Sequence, residues 1–438
     1  MPRTVDPPPH CGGSGPGGPP PLSRPPTNEA RLRLGSAYVR LWTAGTISNL
    51  GDGIDQVALP LLAASLTRDP RLVAGLAVAG GLPWLLFALV AGALVDRADR
   101  ARLMVQVNLV RGALVTVIAV TAATGTVQIW SLYVVAFALG IAETLFDNAA
   151  QSIMPAVVPP SLLERANGRQ YAAEVVANSF AGPPIGGLLF ALAVSLPFWA
   201  DATSFVASAA LIATIAHLVP RPARPTGPAS ERRSIRAEIA EGLRWLYHHR
   251  VLRTLALLLG TLNLCGNMAL ATFVLFAQEE LGLGDSGFGL LLAGMAAGGV
   301  LGGLVGSRVA AAFGSSRSLL LSILLNGVCA IAIGFLSNAW AVAAVALAEG
   351  TFNVVWNVIT VSLRQRIIPS HLFGRVNSAY RFIGWGASPI GALAGGLLAS
   401  AFGLRAPFFI AGAITLCALV PAAMVLTPAA LAAAEADR

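Results

Sequence analysis

The sequence predicts an all-α integral membrane protein, with twelve transmembrane helices in two pseudo-symmetric six-helix bundles. Three observations carry that expectation. Of 438 residues, 55% are apolar and only 11% are charged, whereas soluble domains carry about 25% charged residues. Apolar runs recur twelve times between residues 38 and 427, each near the ~20 residues a helix needs to cross about 30 Å of hydrocarbon. The second half of the chain also repeats landmarks of the first. A soluble chain of this length offers too little core to hide a dozen such runs.

Residues 1–37 are rich in Pro, Gly and Ser, with scattered charge and no apolar h-region. Such a composition buries too little surface to fold and is no signal peptide, so a disordered cytoplasmic tail is expected. Spans at 38–66, 72–95, 103–124, 130–155, 170–193 and 197–219 form an N-terminal bundle over 38–219. Residues 220–253 are a polar cytoplasmic linker whose second part has helical apolar spacing, which predicts an amphipathic surface helix. Spans at 254–278, 287–312, 317–337, 339–363, 376–402 and 405–427 form a C-terminal bundle over 254–427, and 428–438 is a cytoplasmic tail. Helices rather than strands follow from length, because barrel strands need only about 9 to 11 residues and alternate in polarity.

Charge sets the orientation. All 29 basic residues are Arg. With both termini cytoplasmic, only Arg68, Arg71 and Arg405 fall outside the cell and only Arg111 lies deep in a span, Arg40, Arg308, Arg317 and Arg381 falling at cytoplasmic span ends, as the positive-inside rule requires of a multi-pass protein of the cell membrane. The net charge of +8 therefore serves topology, and no nucleic-acid partner is implied. Cys11, Cys265, Cys329 and Cys417 have no metal-like spacing, so neither a metal site nor a disulfide framework is expected.

An offset of 210 residues superposes Gly92 on Gly302, Trp130 on Trp340, Gly140 on Gly350, Pro159 on Pro369, Arg165 on Arg375 and Asn167 on Asn377. Duplication explains matches that persist through several spans and loops. Parallel six-helix repeats place a substrate cavity between the halves near the bilayer midplane, with access alternating as the halves rock.

The loop after the second span reads GALVDRADRAR over residues 92–102. It resembles the signature GxLaDrxGrkxxl of the major facilitator superfamily, with Gly92, Asp96, Arg97, Arg100 and Arg102 matching and Asp99 standing where Gly is usual. The resemblance implies a charge relay, with Asp96 and Arg100 as latch residues that close the cytoplasmic end. The alternative is a solvated loop that serves topology alone. Residues 140–167, Ser48–Asp52 and the stretch AEIAEGLRW before the seventh span resemble the branch containing macrolide-efflux proteins and the enterobactin exporter. Gly182, Pro183, Gly186 and Gly187 resemble the fifth-helix antiporter motif of drug exporters. Such glycines admit close helix approach and proline loosens the backbone; ordinary close packing without gating is the competing explanation.

Ionisable side chains within a span cost at least about 2.5 to 3.5 kcal/mol on insertion scales, so each needs a partner, a cavity or a proton. Asp52 and Asp55 share a face of the first helix, and Glu143 and Asp147 are spaced by four in the fourth. Carboxylates that take up a proton on one side and release it on the other would supply antiport chemistry. Asp52, Glu143 and Glu349 lead the proton-coupling candidates, with Arg111 as fixed positive charge; Asp55, Asp147 and Glu174 rank below them. Structural ion pairing is the alternative for each. Asp201 is expected near the outer surface, within reach of water. Phe146, Trp356, Phe382 and Trp385 are candidates for a greasy substrate pocket, although packing is their more ordinary use.

No Walker loop or nucleophile elbow is present, so no cofactor or enzyme chemistry is expected. The expectation is a proton-coupled secondary transporter, monomeric as the resemblance implies, exporting drug-like, antibiotic or siderophore-like molecules that are amphiphilic or cationic. Uptake or lipid movement on the same scaffold is the nearest alternative. A transport-inactive membrane scaffold or sensor is the alternative of another class.

Overall fold

The computed structural model describes residues 34–95, 98–159, 162–216, 235–369 and 372–436, which are helical almost throughout with no strand among them. The first half comprises α1 (Ser36–Leu66), α2 (Pro70–Val95), α3 (Arg100–Ala123), α4 (Ile129–Val157) and α5 (Leu163–Glu174). A π-helical turn (Val175–Ala181) then leads into α6 (Gly182–Leu192) and α7 (Leu196–Ala213). After α8 (Ile235–His248) come α9 (Arg250–Leu270), the short α10 (Phe273–Leu275) and a second π turn (Phe276–Glu280). The rest is α11 (Asp285–Phe313), α12 (Ser315–Phe335), α13 (Ala339–Ile367), α14 (Phe373–Gly386), α15 (Ser388–Phe402), α16 (Ala406–Val425) and α17 (Pro428–Ala436).

Among the described residues, eleven helical segments are long and apolar enough to cross a membrane. The remaining expected span is α1. Its 31 residues are ample in length, but Ser48, Asn49, Asp52, Asp55 and Gln56 dilute its apolarity at mid-span.

Three expected spans are not simple rods. The seventh breaks after Ala271, between α9 and α10, and the eleventh divides at Ala387, just before Pro389. The fifth begins earlier than its hydropathy suggests, because the polar run Leu163–Glu174 is helical, and it then widens into the π turn. Pro183 and Pro184 lack the N–H groups that would bond the carbonyls four residues back. The Gly182 N–H instead reaches Ala177 O, five residues back, which is the π-type bond.

Two glycine-lined helices join the halves. On α6, Gly182 lies against Gly53 and Gly186 against the Ile54 backbone of α1, while Gly187 faces Asp285, Ser286 and Gly289 of α11. At an offset of 209 residues, Gly391 and Gly395 of α15 lie against the Leu264 and Met268 backbones of α9, while Gly396 faces Pro70, Arg71 and Ala74 of α2. Each such helix thus packs on one helix of its own half and one of the other, with no side chain to hold them apart.

The halves are not joined equally along their length. One continuous hydrophobic cluster, including Leu61, Leu62, Phe198, Phe205, Phe273, Phe276, Phe288 and Phe408, draws on both halves at the end that carries the 67–69 and 281–284 connections. Arg68 reinforces that end, donating to Gln278 Oε1 at 2.6 Å and lying 3.7 Å from Glu279. At the opposite end, where most arginines lie, the buried clusters belong to one half or the other. There α8 docks on the second half, with Gly242 against the Arg375 backbone and Glu241 2.8 Å from Arg375.

Candidate functional site

The polar residues that dilute α1 build the most highly charged interior site among the described residues. Asp52 Oδ1 accepts from Arg111 Nη2 of α3 at 2.5 Å. Arg111 is 3% exposed, and its guanidinium lies 4.1 Å from the Phe205 ring centroid and 5.9 Å from that of Phe146. A buried guanidinium needs such company: the carboxylate neutralises it, and the rings attract it in place of water. Its electrostatic neighbours are Asp52, Glu143, Asp201 and Asp147. Glu143 in turn neighbours Glu174 at the end of α5. The structure therefore gathers most of the sequence candidates of the first half around a single cation.

Asp201 departs from expectation. It is 1% exposed rather than hydrated, because α7 packs closely on α1 where Gly51 has no side chain. A Cβ at position 51 would overlap both Asp201 Oδ1 and Ser204 Oγ. Ser204 Oγ donates to Asp201 Oδ1 at 3.2 Å. The α3–α7 contact is polar too, with Asn108 Nδ2 donating to Ser208 Oγ at 2.9 Å. Sequence position misled for Asp201 because it lies near the start of a span; its signal was the Gly51–Asp52–Gly53 run, whose bare flanks admit another helix. A second contact absent from the sequence reading is Gln56 Nε2 to Asn178 Oδ1, 2.7 Å, from α1 to the π turn.

Glu349 stands apart on α13. It is half-buried and makes no ion pair among the described residues, and its electrostatic neighbour is Cys329 of α12. Two of the four aromatic candidates do not line an open pocket. Trp356 is 3% exposed inside the second half's cluster, and Phe146 is buried against Arg111. Phe382 and Trp385 of α14 are exposed, at 48% and 60%.

Of the latch residues, Asp96 and Arg97 lie outside the described residues. Gly92 is within α2 and Arg100 opens α3. Asp99 is the N-cap of α3: its carboxylate accepts from the Arg102 backbone N–H at 3.2 Å and lies 3.4 Å from Arg102 Nε. Asp in place of Gly thus ends the turn by capping the next helix.

Paired helical halves joined at one end, around buried charge, define a multi-pass membrane transporter of the major facilitator fold. A family model described as transmembrane secretion effector matches residues 30–438, and the chain belongs to this family of the major facilitator superfamily. It is 29% identical to the multidrug efflux pump Tap of Mycolicibacterium fortuitum, over 83% of this chain and 90% of the pump. It is 24% identical to macrolide efflux protein A of Streptococcus pyogenes, over 89% of this chain and 95% of that protein. The fold resembles a bacterial homologue of the iron transporter ferroportin in an inward-facing state, with TM-score 0.69, 17% identity, and 88% and 97% of the two chains covered. It also resembles a bacterial homologue of the human lysosomal transporter Spinster, inward-facing and unoccupied, with TM-score 0.67, 14% identity, and 91% and 96% covered.

Proposed function

We propose that this chain exports small amphiphilic or cationic organic molecules across the cell membrane by alternating access, driven by protons moving the other way. Relatives named as multidrug and macrolide efflux proteins support export of drug-like molecules. The observation that carries the coupling is the Asp52–Arg111 pair, one cation amid several interior carboxylates. Asp52 is the working acid. When it takes up a proton it ceases to be a charged acceptor for Arg111, and Arg111 turns toward Glu143 or Asp147. When it releases the proton the pair re-forms.

In this reading the arginine-rich end is cytoplasmic, as are both termini, and 38–219 and 254–427 are the rocking units linked by 220–253. The separate cores at the arginine-rich end and the shared core at the other then correspond to an inward-open state. Conversion to the outward-open state separates α6 from α11 and α15 from α2, while Asp96 and Arg100 latch the cytoplasmic end. Gly182, Pro183, Gly186 and Gly187 provide the pliable contact. Glu349 is a second-half acid for protons or cationic substrate, and the exposed Phe382 and Trp385 of α14 line the substrate path. The protein acts as a monomer.

The test is accumulation of cationic dyes and macrolides in an efflux-deficient host, with and without a protonophore. Expression lowers accumulation, and the protonophore restores it. Raised accumulation would assign uptake instead, and protonophore-insensitive export would remove the proton.

A further inference from the structure

Asp55 is one helical turn beyond Asp52, yet it faces another helix. Gly51, one turn before Asp55 on the same face of α1, meets Asp201 Oδ1 and Ser204 Oγ of α7, so the Asp55 and Asp201 carboxyls share the α1–α7 contact. Both side chains are more than nine-tenths buried, at 7% and 1% exposure. A carboxylate is an acceptor only, so a hydrogen bond between two carboxyl groups requires a proton on one of them.

We propose that Asp55 and Asp201 form a second proton-binding site, holding one proton between them at the contact of α1 with α7. Three observations support it besides the pairing. Asp55 Oδ1 and Asp201 Oδ2 are buried without any hydrogen-bond partner, so neither acid is satisfied by the protein around it. The other Asp201 oxygen takes only the Ser204 hydroxyl. The contact also depends on Gly51, the bare position that lets Asp201 reach α1 at all.

No cation neutralises the pair directly. The charged groups acting on it are Asp52 from α1, which repels, and Arg111 from α3. Arg111 spends its Nη2 on Asp52, and its Nε has no partner. The π turn and α6, which also pack on α1, contain no charged residue. Two bare carboxylates in contact would push α1 from its seat on α7, whereas one shared proton ties the helices together. The site stands on this geometry alone; that its proton moves during transport rests on the proton-coupled reading above.

Infrared spectroscopy of the purified full chain in detergent at neutral pH tests it without any transport step, so its failure and that of proton-coupled export are distinguishable. The wild type shows the carbonyl stretch of a protonated, water-excluded carboxyl. Asp55→Asn and Asp201→Asn each remove the same amount of that band, the double variant removes no more than either, and Asp52→Asn leaves this component in place. Asn keeps the size of Asp and donates to the remaining carboxylate, and size exclusion checks the fold. Should the variants misfold, wild type carrying [4-13C]aspartate must show the protonated band at the isotope-shifted position. Bands unchanged in both single variants, additive losses in the double variant, an unshifted band in the labelled protein, or loss of the wild-type band when sodium replaces choline would each overturn the proposal.

Discussion

Arg111 has one ion-pair partner at 2.5 Å and aromatic faces close by, so its removal strands Asp52 in a poorly solvated place. Arg111→Ala is expected to lower stability by about 3 kcal/mol, read as a fall in the melting temperature in detergent. Arg111→Lys, which keeps the charge but not the planar fork, should lose less. Gly51→Ala drives a methyl into Asp201 and Ser204 and should cost about 1 to 3 kcal/mol by overpacking; an unchanged melting temperature would show that α7 yields freely. Asp52 and Arg111 were legible because ionisable residues within apolar spans are few and each demands an explanation. Asp201 was not, since only the tertiary contact at Gly51 takes it out of water. For Trp356 and Phe146 the sequence left packing and pocket lining both open, because composition names an aromatic residue but does not say which way its helix is turned; both are buried.

At the scale of elements, α6 and α15 do the joining. Each presents glycines to a helix of its own half and to one of the opposite half. Gly187→Leu places a bulky side chain against Asp285 and Gly289, and is expected to hold α6 off α11. Spin labels on the 67–69 and 281–284 connections should then report a longer distance; an unchanged distance would show that the contact does not govern closure. Arg68→Ala should act in the same direction but weakly. Both side chains of the Arg68–Glu279 pair are largely exposed, and such pairs contribute about 0 to 1 kcal/mol. Span count and order were legible from apolar run length, and the prolines at 183 and 184 marked a weak point. The π turn was hidden because hydropathy averages over a window and carries no hydrogen-bond register. The first part of α5, residues 163–169, lies outside the expected fifth span because it is too polar for a hydropathy criterion.

For the whole molecule, the asymmetry of the hydrophobic cores matters most. A shared core lies at one end and separate cores at the other, with the charged seam of the first half between the ends, the arrangement that the proposed rocking of two bodies about a common contact requires. The internal repeat made the matching glycine-lined helices of the two halves readable from sequence. The end at which they join was not, since both ends have the same kinds of residues and only the packing distinguishes them. The most direct measurement is substrate accumulation in inverted vesicles under an imposed pH gradient, comparing the wild type with Asp52→Asn. The account predicts gradient-driven accumulation in the wild type and a loss of about tenfold or more in the variant, with substrate binding retained. Equal gradient-driven accumulation by the two proteins would contradict it.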